Sequence, residues 1–312
     1  MGAAPPLHKV RDPVDPLPPS LARPLVPART LVPETGAAAE RAPRLVDCRF
    51  RLDAPGDGAL AWRRERLPGA PYLHLDRDLS GPVEPGRTGR HPLPGIEPLR
   101  ERLRLRGIAR ERPVVFYDDA GGAFAARAWW LACLAGHPDA HVLDGGLDGW
   151  RAAGGALETG APSAPVAAPP WPDAPPLVNA VDTETVLDAL GAPETVLVDA
   201  RARPRFEGLE EPIDPVAGHI PGARCLPFDG NLGPDRRFLA PEVLHDRWAP
   251  VLGRDPATAI CYCGSGVTAA HAVLAVVAAG LPAPRLYAGS WSEWITDPAR
   301  PVARGPEAPG AS

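Results

Sequence analysis

A chain of 312 residues is long enough for two domains of ordinary size. Its formal net charge is −5 and no block of basic residues occurs, so nothing indicates a nucleic-acid partner. No apolar run approaches the length of a membrane span, and the five cysteines are odd in number and scattered, which disfavours a disulfide framework. We therefore expect a cytoplasmic protein, with no membrane contact, in a reducing compartment.

The first 40 residues are rich in proline, alanine and arginine and lack the pattern of a secretory signal, so a partly disordered N-terminal extension is expected. Short apolar strands alternate with helices over residues 41–155 and again over 177–304. This alternation predicts an α/β fold with two domains, each a parallel β-sheet flanked by helices on both faces. The proline-rich residues 156–176 predict a stiff, extended linker, and residues 305–312 form a small polar tail.

The two predicted domains are copies of one unit. Residues 114–122 align without gaps on residues 258–266, and in this register Asp119 falls on Cys263. The same register pairs glycines and tryptophans further along: Gly136 with Gly280, Gly145 with Gly289, and Trp150 with Trp294. Both aligned loops follow a strand, at the edge where parallel sheets bind ligands.

Cys263 stands between an apolar strand and an apolar helix, with Gly264 and Gly266 beside it. Backbone N–H groups without partners converge at such a helix start, where they bind anions and lower the pKa of a cysteine toward roughly 3.5–7.5. The pattern predicts a nucleophilic thiolate. The alternatives are a buried structural cysteine and a redox or metal pair with Cys261, although no further ligand has metal-site spacing. Phosphatase chemistry is disfavoured because Ala269 occupies the position of the phosphate-binding arginine.

The loop over residues 263–269 resembles the active-site loop of the rhodanese family, in particular that of its mercaptopyruvate sulfurtransferase type. Other stretches of the second half are similar to the family in the same order and spacing: residues 199–201, 205–208, 218–223 and 289–294. The resemblance implies two tandem rhodanese-like domains and transfer of sulfane sulfur through a persulfide on Cys263. It implies no cofactor and no metal. The first domain is expected to be catalytically inactive, because Asp119 in place of a cysteine cannot hold sulfur.

The resemblance also implies roles for residues around Cys263. Arg205 matches the arginine that binds the anionic donor, the alternative being a surface ion pair with a nearby glutamate. Trp291 either lines the cleft or belongs to the core. The first-domain residues 89–94 are similar to a stretch that walls the cleft in the family, the alternative being a solvated loop. The persulfide is expected to be stabilised by the loop residues Gly264, Ser265, Gly266, Val267 and Thr268.

The uncharged loop is similar to those of enzymes that use 3-mercaptopyruvate, whereas thiosulfate-type loops carry cations beside the cysteine. We therefore expect 3-mercaptopyruvate as the donor, with thiosulfate as the alternative, and cyanide, a thiol or a thioredoxin-like protein as the acceptor. In mercaptopyruvate enzymes of the animal type a first-domain histidine stands where this chain has Arg66, so a serine–histidine relay through Ser265 is expected to be incomplete. Their second donor-binding arginine has no counterpart in residues 207–217. A non-catalytic module that binds a protein or senses oxidants through Cys263 is the rival interpretation.

Overall fold

The computed structural model describes residues 17–32, 42–192 and 194–307. Its first domain is built on a four-stranded parallel sheet. The strands of this sheet are β1 (Leu25–Pro27), β2 (Arg44–Asp47), β4 (Val114–Tyr117) and β5 (Ala140–Asp144). Their order is β1-β5-β4-β2. The apolar run of β4 is buried on both faces in the middle of this sheet, as expected for a strand covered by helices. The helices are α1 (Pro19–Ala22), α2 (Ala28–Leu31), α3 (Asp57–Arg64), α4 (Leu75–Asp78), α5 (Ile96–Leu105), α6 (Ala123–Leu134) and α7 (Gly146–Ala152).

Part of the predicted N-terminal extension belongs to the first domain. Strand β1 pairs in parallel with β5 and closes that edge of the sheet. Ser20 is fully buried, and its hydroxyl donates to His137 O and accepts from Ala140 N. The prediction of an extension is therefore wrong for residues 17–32, because the open edge of β5 offers backbone hydrogen bonds that compensate for a composition unfavourable to strands. Residues 1–16 and 33–41 lie outside the described residues.

The second domain repeats this plan with a five-stranded parallel sheet. Its strands are β7 (Ala180–Val181), β8 (Leu197–Asp199), β9 (Arg224–Cys225), β10 (Ile260–Tyr262) and β11 (Arg285–Tyr287). Their order is β7-β11-β10-β8-β9. Its helices are α8 (Thr183–Asp188), α9 (Arg203–Glu207), α10 (Pro241–Trp248), α11 (Thr268–Ala278) and α12 (Ser290–Trp294). The parallel α/β architecture expected from the alternating pattern is confirmed.

The two domains share one hydrophobic core through α6 and α11, which pack against each other. Residues 123–133 of α6 and 269–277 of α11 are all buried. A helix that is apolar on every side can only be covered on every side, here by its own sheet and by the equivalent helix of the other domain. The pairing brings the loop that precedes each helix close to the interface between the domains.

The proline-rich linker runs along the first domain. Its start forms β6 (Glu158–Thr159), which pairs antiparallel with β3 (Glu65–Arg66). Beyond it, residues 160–179 contain neither helix nor strand, and Trp171 Nε1 donates to Ile108 O. At the other end of the chain, Cys225 N donates to Glu307, so this part of the predicted tail contacts the second domain, whereas residues 308–312 lie outside the described residues. None of the described helices is long and apolar enough to cross a membrane.

Candidate active site

Cys263 follows directly on the central strand β10, and α11 begins five residues later at Thr268. The second domain fixes its backbone from both sides. Its N–H donates to Ser290 Oγ at 3.1 Å, and its carbonyl accepts from Trp291 N at 2.9 Å. Ser290 adopts a positive φ of 55°, a strained conformation for a residue with a side chain, and it is fully buried. The cysteine is thus held rigidly at the carboxyl edge of the sheet, and its side chain is almost inaccessible to solvent.

The loop after Cys263 leaves backbone amides available. Gly266 has a φ of 77°, and a Cβ there would lie 2.5 Å from Ala288 O, so only glycine fits this turn. Val267 is the N-cap residue of α11, and its side chain makes no capping hydrogen bond. Within the described part of the chain, no group accepts a hydrogen bond from the amides of Ser265 and Val267. Amides of this kind are suited to bind an anion on the Cys263 side chain.

The first domain shows how such a loop binds an anion. The Asp118 carboxylate is fully buried and accepts four backbone hydrogen bonds of 2.8–2.9 Å. The donors are the amides of Ala120, Gly122, Phe124 and Ala125. A side chain of the loop itself therefore fills the amide cradle of the first domain.

Asp118, rather than Asp119, is the counterpart of Cys263. Strand β2 pairs Asp47 with Tyr117, and β8 pairs Asp199 with Tyr262, so the residues that follow the two tyrosines correspond. The predicted register is wrong by one residue in this loop because α6 is one residue longer than α11: 12 residues against 11. Asp119 corresponds to Gly264 and is exposed to solvent.

Ser265 is connected to a histidine of the first domain. Its Oγ lies 2.7 Å from His91 Nδ1, and His91 Nε2 lies 3.2 Å from Asp76 Oδ1. Burial, together with the charges of Arg127 and Arg90, lowers the pKa of His91 to about 3, so the ring is neutral at physiological pH. The nearby carboxylate favours the proton on Nε2, which leaves Nδ1 to accept from the serine hydroxyl.

The expectation of an incomplete relay is therefore wrong. The histidine comes from the loop over residues 89–94 and not from the position of Arg66, which is buried and paired with Glu158. The same loop touches α12: Arg90 N donates to Ser292 Oγ at 3.1 Å. A Cβ on Gly89 would lie 2.6 Å from Gly289 O, so a glycine permits this close approach. Residues 89–94 thus meet the second domain at the site instead of forming a solvated loop.

Arg127 brings a buried positive charge to the site. It lies on α6, is fully buried, and donates to carbonyls on both sides of the domain interface, Gly266 O at 3.2 Å and His91 O at 3.0 Å. Within the described residues no carboxylate forms an ion pair with it. Burial lowers the pKa of Arg127 to about 10, and the charge of Cys263 acts in the opposite direction. Arg127 is therefore a cation at physiological pH, and Cys263 is the acidic group whose charge favours the protonated guanidinium.

Arg205 approaches the loop from α9 and is also ion-paired. It contacts Glu211 Oε1 at 2.7 Å and Asp214 Oδ2 at 3.0 Å. The sequence left open a surface ion pair of Arg205 with a nearby glutamate. The structure shows an ion pair with Glu211, but this pair is largely buried. A Cβ on Gly264 would lie 3.7 Å from both Nη atoms of Arg205, so the guanidinium is adjacent to the cysteine loop.

Comparisons with known proteins agree with this arrangement. The rhodanese-like domain matches residues 34–153 and 182–297. The chain belongs to the rhodanese family. It is a tandem-domain sulfurtransferase, 53% identical over 264 residues to a probable 3-mercaptopyruvate sulfurtransferase of Pseudomonas aeruginosa, covering 84% of this chain and 92% of that protein.

Two further proteins are similar to this chain over most of its length. The chain is 43% identical over 272 residues to a putative thiosulfate sulfurtransferase, SseB, of Mycobacterium tuberculosis, covering 84% of this chain and 90% of that protein. Among solved structures, the 3-mercaptopyruvate sulfurtransferase from Leishmania major matches with a TM-score of 0.76 and 31% identity, over 86% of this chain and 73% of that one.

Trp291, which the resemblance placed either at the cleft or in the core, lies in the core. Trp291 is fully buried, donates from Nε1 to Val216 O at 2.8 Å, and packs under the Arg201 guanidinium. It is a core residue whose backbone holds Cys263, so of the two alternatives that the sequence left open, the structure supports the core position. Arg201 also forms a buried ion pair with Asp199 at 2.7 Å.

Sequence reasoning assigned no role to His91, Asp76, Arg127 or Ser290. Three of them lie in the first domain, more than 130 residues from Cys263 along the chain, so only the domain packing brings them to the site. Ser290 lies in a stretch that resembles the family, but its positive φ has no sequence signature. A signal for His91 did exist, namely its place in the 89–94 stretch.

The other cysteines are poor nucleophiles. Burial raises the pKa of Cys261 to about 12 and that of Cys225 to about 12. Burial also raises the pKa values of Cys48 and Cys133. No group of three or more His, Cys, Asp or Glu side chains in the described ranges is arranged to hold a metal ion.

Proposed function

We propose that the chain transfers sulfane sulfur from 3-mercaptopyruvate to a thiophilic acceptor through a persulfide on Cys263. The observation that carries this proposal is the contrast between the two loops. The amide cradle of the first domain is filled by the Asp118 carboxylate, whereas the amides of Ser265 and Val267 after Cys263 have no acceptor among the described residues. These two amides suit the terminal sulfur of a persulfide anion. We accordingly propose that the first domain is catalytically silent.

In the first half-reaction, the Cys263 thiolate attacks the sulfur of 3-mercaptopyruvate. The new S–S bond forms as the sulfur–carbon bond breaks, and the electron pair of that bond passes to the carbon. The thiol proton of the donor leaves its sulfur and a proton is added to the carbon, so the products are the persulfide anion and pyruvate. The Ser265 hydroxyl, bonded to neutral His91, is the protein group beside Cys263 that moves this proton.

In the second half-reaction, the acceptor attacks the outer sulfur and the S–S bond breaks. The electron pair returns to Cys263 and regenerates the thiolate. Cyanide leaves as thiocyanate and a thiol leaves as a persulfide, in a ping-pong sequence. We propose a small thiol or a thioredoxin-like protein thiol as the natural acceptor. The five cysteines are free and buried, which supports a reducing, cytoplasmic setting.

Two groups of positive charge support an anionic reaction path. Arg127 is a buried cation without a carboxylate partner in the described residues, and its charge attracts the anionic terminal sulfur of a persulfide on Cys263. Arg205 lies beside Gly264, where it can hold the anionic group of the donor. Both charges act where solvent is largely excluded, so they are weakly screened.

The choice of 3-mercaptopyruvate over thiosulfate rests on two features. Gly264 and Ser265 are uncharged, so the two loop residues that follow Cys263 add no cation that would offset the double charge of thiosulfate. The Ser265–His91 pair supplies proton transfer, which only a carbon leaving group needs. The name of the Pseudomonas aeruginosa relative agrees with this choice, while the name of the Mycobacterium tuberculosis relative favours thiosulfate as the second candidate.

The test is a steady-state comparison of the two donors with cyanide as the acceptor. We expect kcat/KM to be higher for 3-mercaptopyruvate. A preference for thiosulfate of about tenfold or more, which corresponds to roughly 1.4 kcal/mol in transition-state stabilisation, would overturn the donor assignment. No transfer from either donor, with Cys263 shown to be reduced, would favour a non-catalytic binding or redox-sensing module.

A further inference from the structure

Resting on the proposed function, we propose that Arg90 of the first domain is the second arginine that binds the donor's carboxylate. It would thereby determine donor specificity together with Arg205. Residues 207–217 of the second domain contain no arginine, so any second guanidinium must come from elsewhere in the fold. Arg90 reaches the site on the loop that also carries His91.

One buried carboxylate holds the two guanidinium groups side by side. Asp214, whose side chain is only 3% exposed, pairs with Arg90 through Oδ1 and with Arg205 through Oδ2 at 3.0 Å. The contact between Arg90 and Asp214 joins the first domain to the second. Because both arginines share one acid, their relative positions are fixed before any donor binds.

The free edges of both groups face the cysteine loop. A Cβ on Gly264 would lie 2.8 Å from Arg90 Nη2, and 3.7 Å from Arg205 Nη1. Across the described residues, neither of these two nitrogens donates a hydrogen bond to a protein acceptor. The Arg90 side chain is 30% exposed, so solvent and small molecules reach it. The remaining N–H groups thus converge beside the residue next to Cys263.

Charge balance makes Arg90 necessary for an anionic donor. Around Arg205 the ion-pair network contains Arg201 and three acids, Asp199, Glu211 and Asp214. With only the two arginines of the second domain, this network carries one excess negative charge. Arg90 neutralises it. A carboxylate would otherwise approach a net-negative region, which Coulomb repulsion in a partly buried site disfavours.

The geometry matches the size of 3-mercaptopyruvate. Its sulfur and its carboxyl carbon are separated by three bonds, a span comparable to the step of about 3.8 Å between neighbouring Cα atoms. A donor whose sulfur meets Cys263 therefore brings its carboxylate to the neighbourhood of Gly264. Two guanidinium edges there can each donate to one carboxylate oxygen.

The experiment compares two donors that differ in the carboxylate alone, 3-mercaptopyruvate and 1-mercaptopropan-2-one, with cyanide as the acceptor. The variants are Arg90→Gln, Arg90→Lys and the control Arg87→Gln, which removes an exposed arginine that lies just before the loop and is paired with Glu84. We expect Arg90→Gln to raise KM for 3-mercaptopyruvate at least about tenfold, the usual scale for losing a charge-assisted hydrogen bond. The same variant should leave 1-mercaptopropan-2-one almost unaffected, and Arg90→Lys should be intermediate. Inhibition by pyruvate, which reports carboxylate binding without turnover, should weaken in parallel.

Equal losses with both donors in Arg90→Gln would show that Arg90 is only a tie between the domains, and the proposal would be wrong. Unchanged kinetics and unchanged pyruvate inhibition would refute it as well. The proposed function is tested separately by the wild-type protein, because failure of wild type to use 3-mercaptopyruvate would overturn that function before any variant is compared.

Discussion

At the scale of single residues, Ser265 is expected to distinguish the two candidate donors. Its hydroxyl is bonded to neutral His91 and is proposed to move the proton that the carbon of 3-mercaptopyruvate requires. Sulfite leaves thiosulfate as an anion and needs no such proton. Ser265→Ala should therefore lower kcat with 3-mercaptopyruvate by roughly 10²-fold, the scale of general acid–base catalysis, and change kcat with thiosulfate only slightly.

Because burial holds the pKa of His91 near 3, the rate with 3-mercaptopyruvate should show no step from His91 protonation between pH 5 and 8. Ser292→Ala is a suitable control, since Ser292 contacts the same loop through Arg90 N and not through His91. Equal losses with both donors in Ser265→Ala would contradict a role in proton transfer.

Arg127 should stabilise the anionic persulfide on Cys263. In Arg127→Gln, kcat/KM with 3-mercaptopyruvate is expected to fall about tenfold or more, because a nearby buried cation is lost. Arg127→Lys should stay near the wild type. Arg100→Gln provides the control, as Arg100 is similarly buried but is paired with Glu97 and Asp173. An equal loss of kcat/KM in Arg127→Lys and Arg127→Gln would show that Arg127 acts only through its carbonyl contacts.

The sequence predicted Cys263, its loop and Arg205 as one site, and the structure places them together because they belong to one contiguous domain with local motifs. It did not identify the partner of Ser265, since His91 is 174 residues away and meets it only across the domain interface. Arg66 occupies the position at which the resemblance predicts a histidine. It has a structural role instead, because it is paired with Glu158. Contacts between domains were thus the least predictable part of the site.

At the scale of loops and helices, the repeat was predictable but its register was not. The extra residue in α6 shifts the preceding loop by one position relative to the rest of the repeat. The shift replaces exposed Asp119 by buried Asp118 as the counterpart of the nucleophile. The glycines and tryptophans that follow the helix align correctly between the two domains. A gap-free alignment applies the same register to the loop before the helix, where it is wrong by one residue.

Asp118 should therefore be a stabilising residue of the first domain. Asp118→Asn replaces one carboxylate oxygen by an NH2 group that faces two backbone donors, so we expect the free energy of unfolding to fall by about 1–3 kcal/mol or more. The kcat/KM with 3-mercaptopyruvate should change little. Urea denaturation and steady-state assays measure the two effects. Asp119→Asn is the matched control, and a larger destabilisation from Asp119→Asn than from Asp118→Asn would contradict the structural register.

At the scale of the whole molecule, the domains fold onto one core through α6 and α11. The two parallel sheets followed from the alternation of apolar strands and helices. The edge strand β1 did not, because three residues in a proline-rich context carry no periodic signal. His271 of α11 lies in the shared core, stacks on Phe238 and faces Gly121 O at 3.1 Å.

His271 should make the joined core sensitive to acid. Burial lowers its pKa to about 4, below the ordinary value of about 6.5, so between these values the unfolded chain binds a proton that the folded chain does not. Its contribution to stability is fully present above about pH 6.5 and is lost as the pH falls, by about 1.4 kcal/mol per pH unit. We expect the difference in unfolding free energy between wild type and His271→Gln to change with this slope from pH 6 to 4.5. A pH-independent difference for His271→Gln would contradict the account.

The central claim, that Cys263 alone carries the transferred sulfur, is tested most directly by mass spectrometry after treatment with 3-mercaptopyruvate in the absence of an acceptor. Peptide fragmentation must separate Cys263 from Cys261, two residues away. We predict one added sulfur atom on Cys263, one pyruvate released per chain, removal of the sulfur by cyanide, and no sulfur uptake in Cys263→Ser. Sulfur found on Cys261 or Cys225, or transfer retained in Cys263→Ser, would contradict the account.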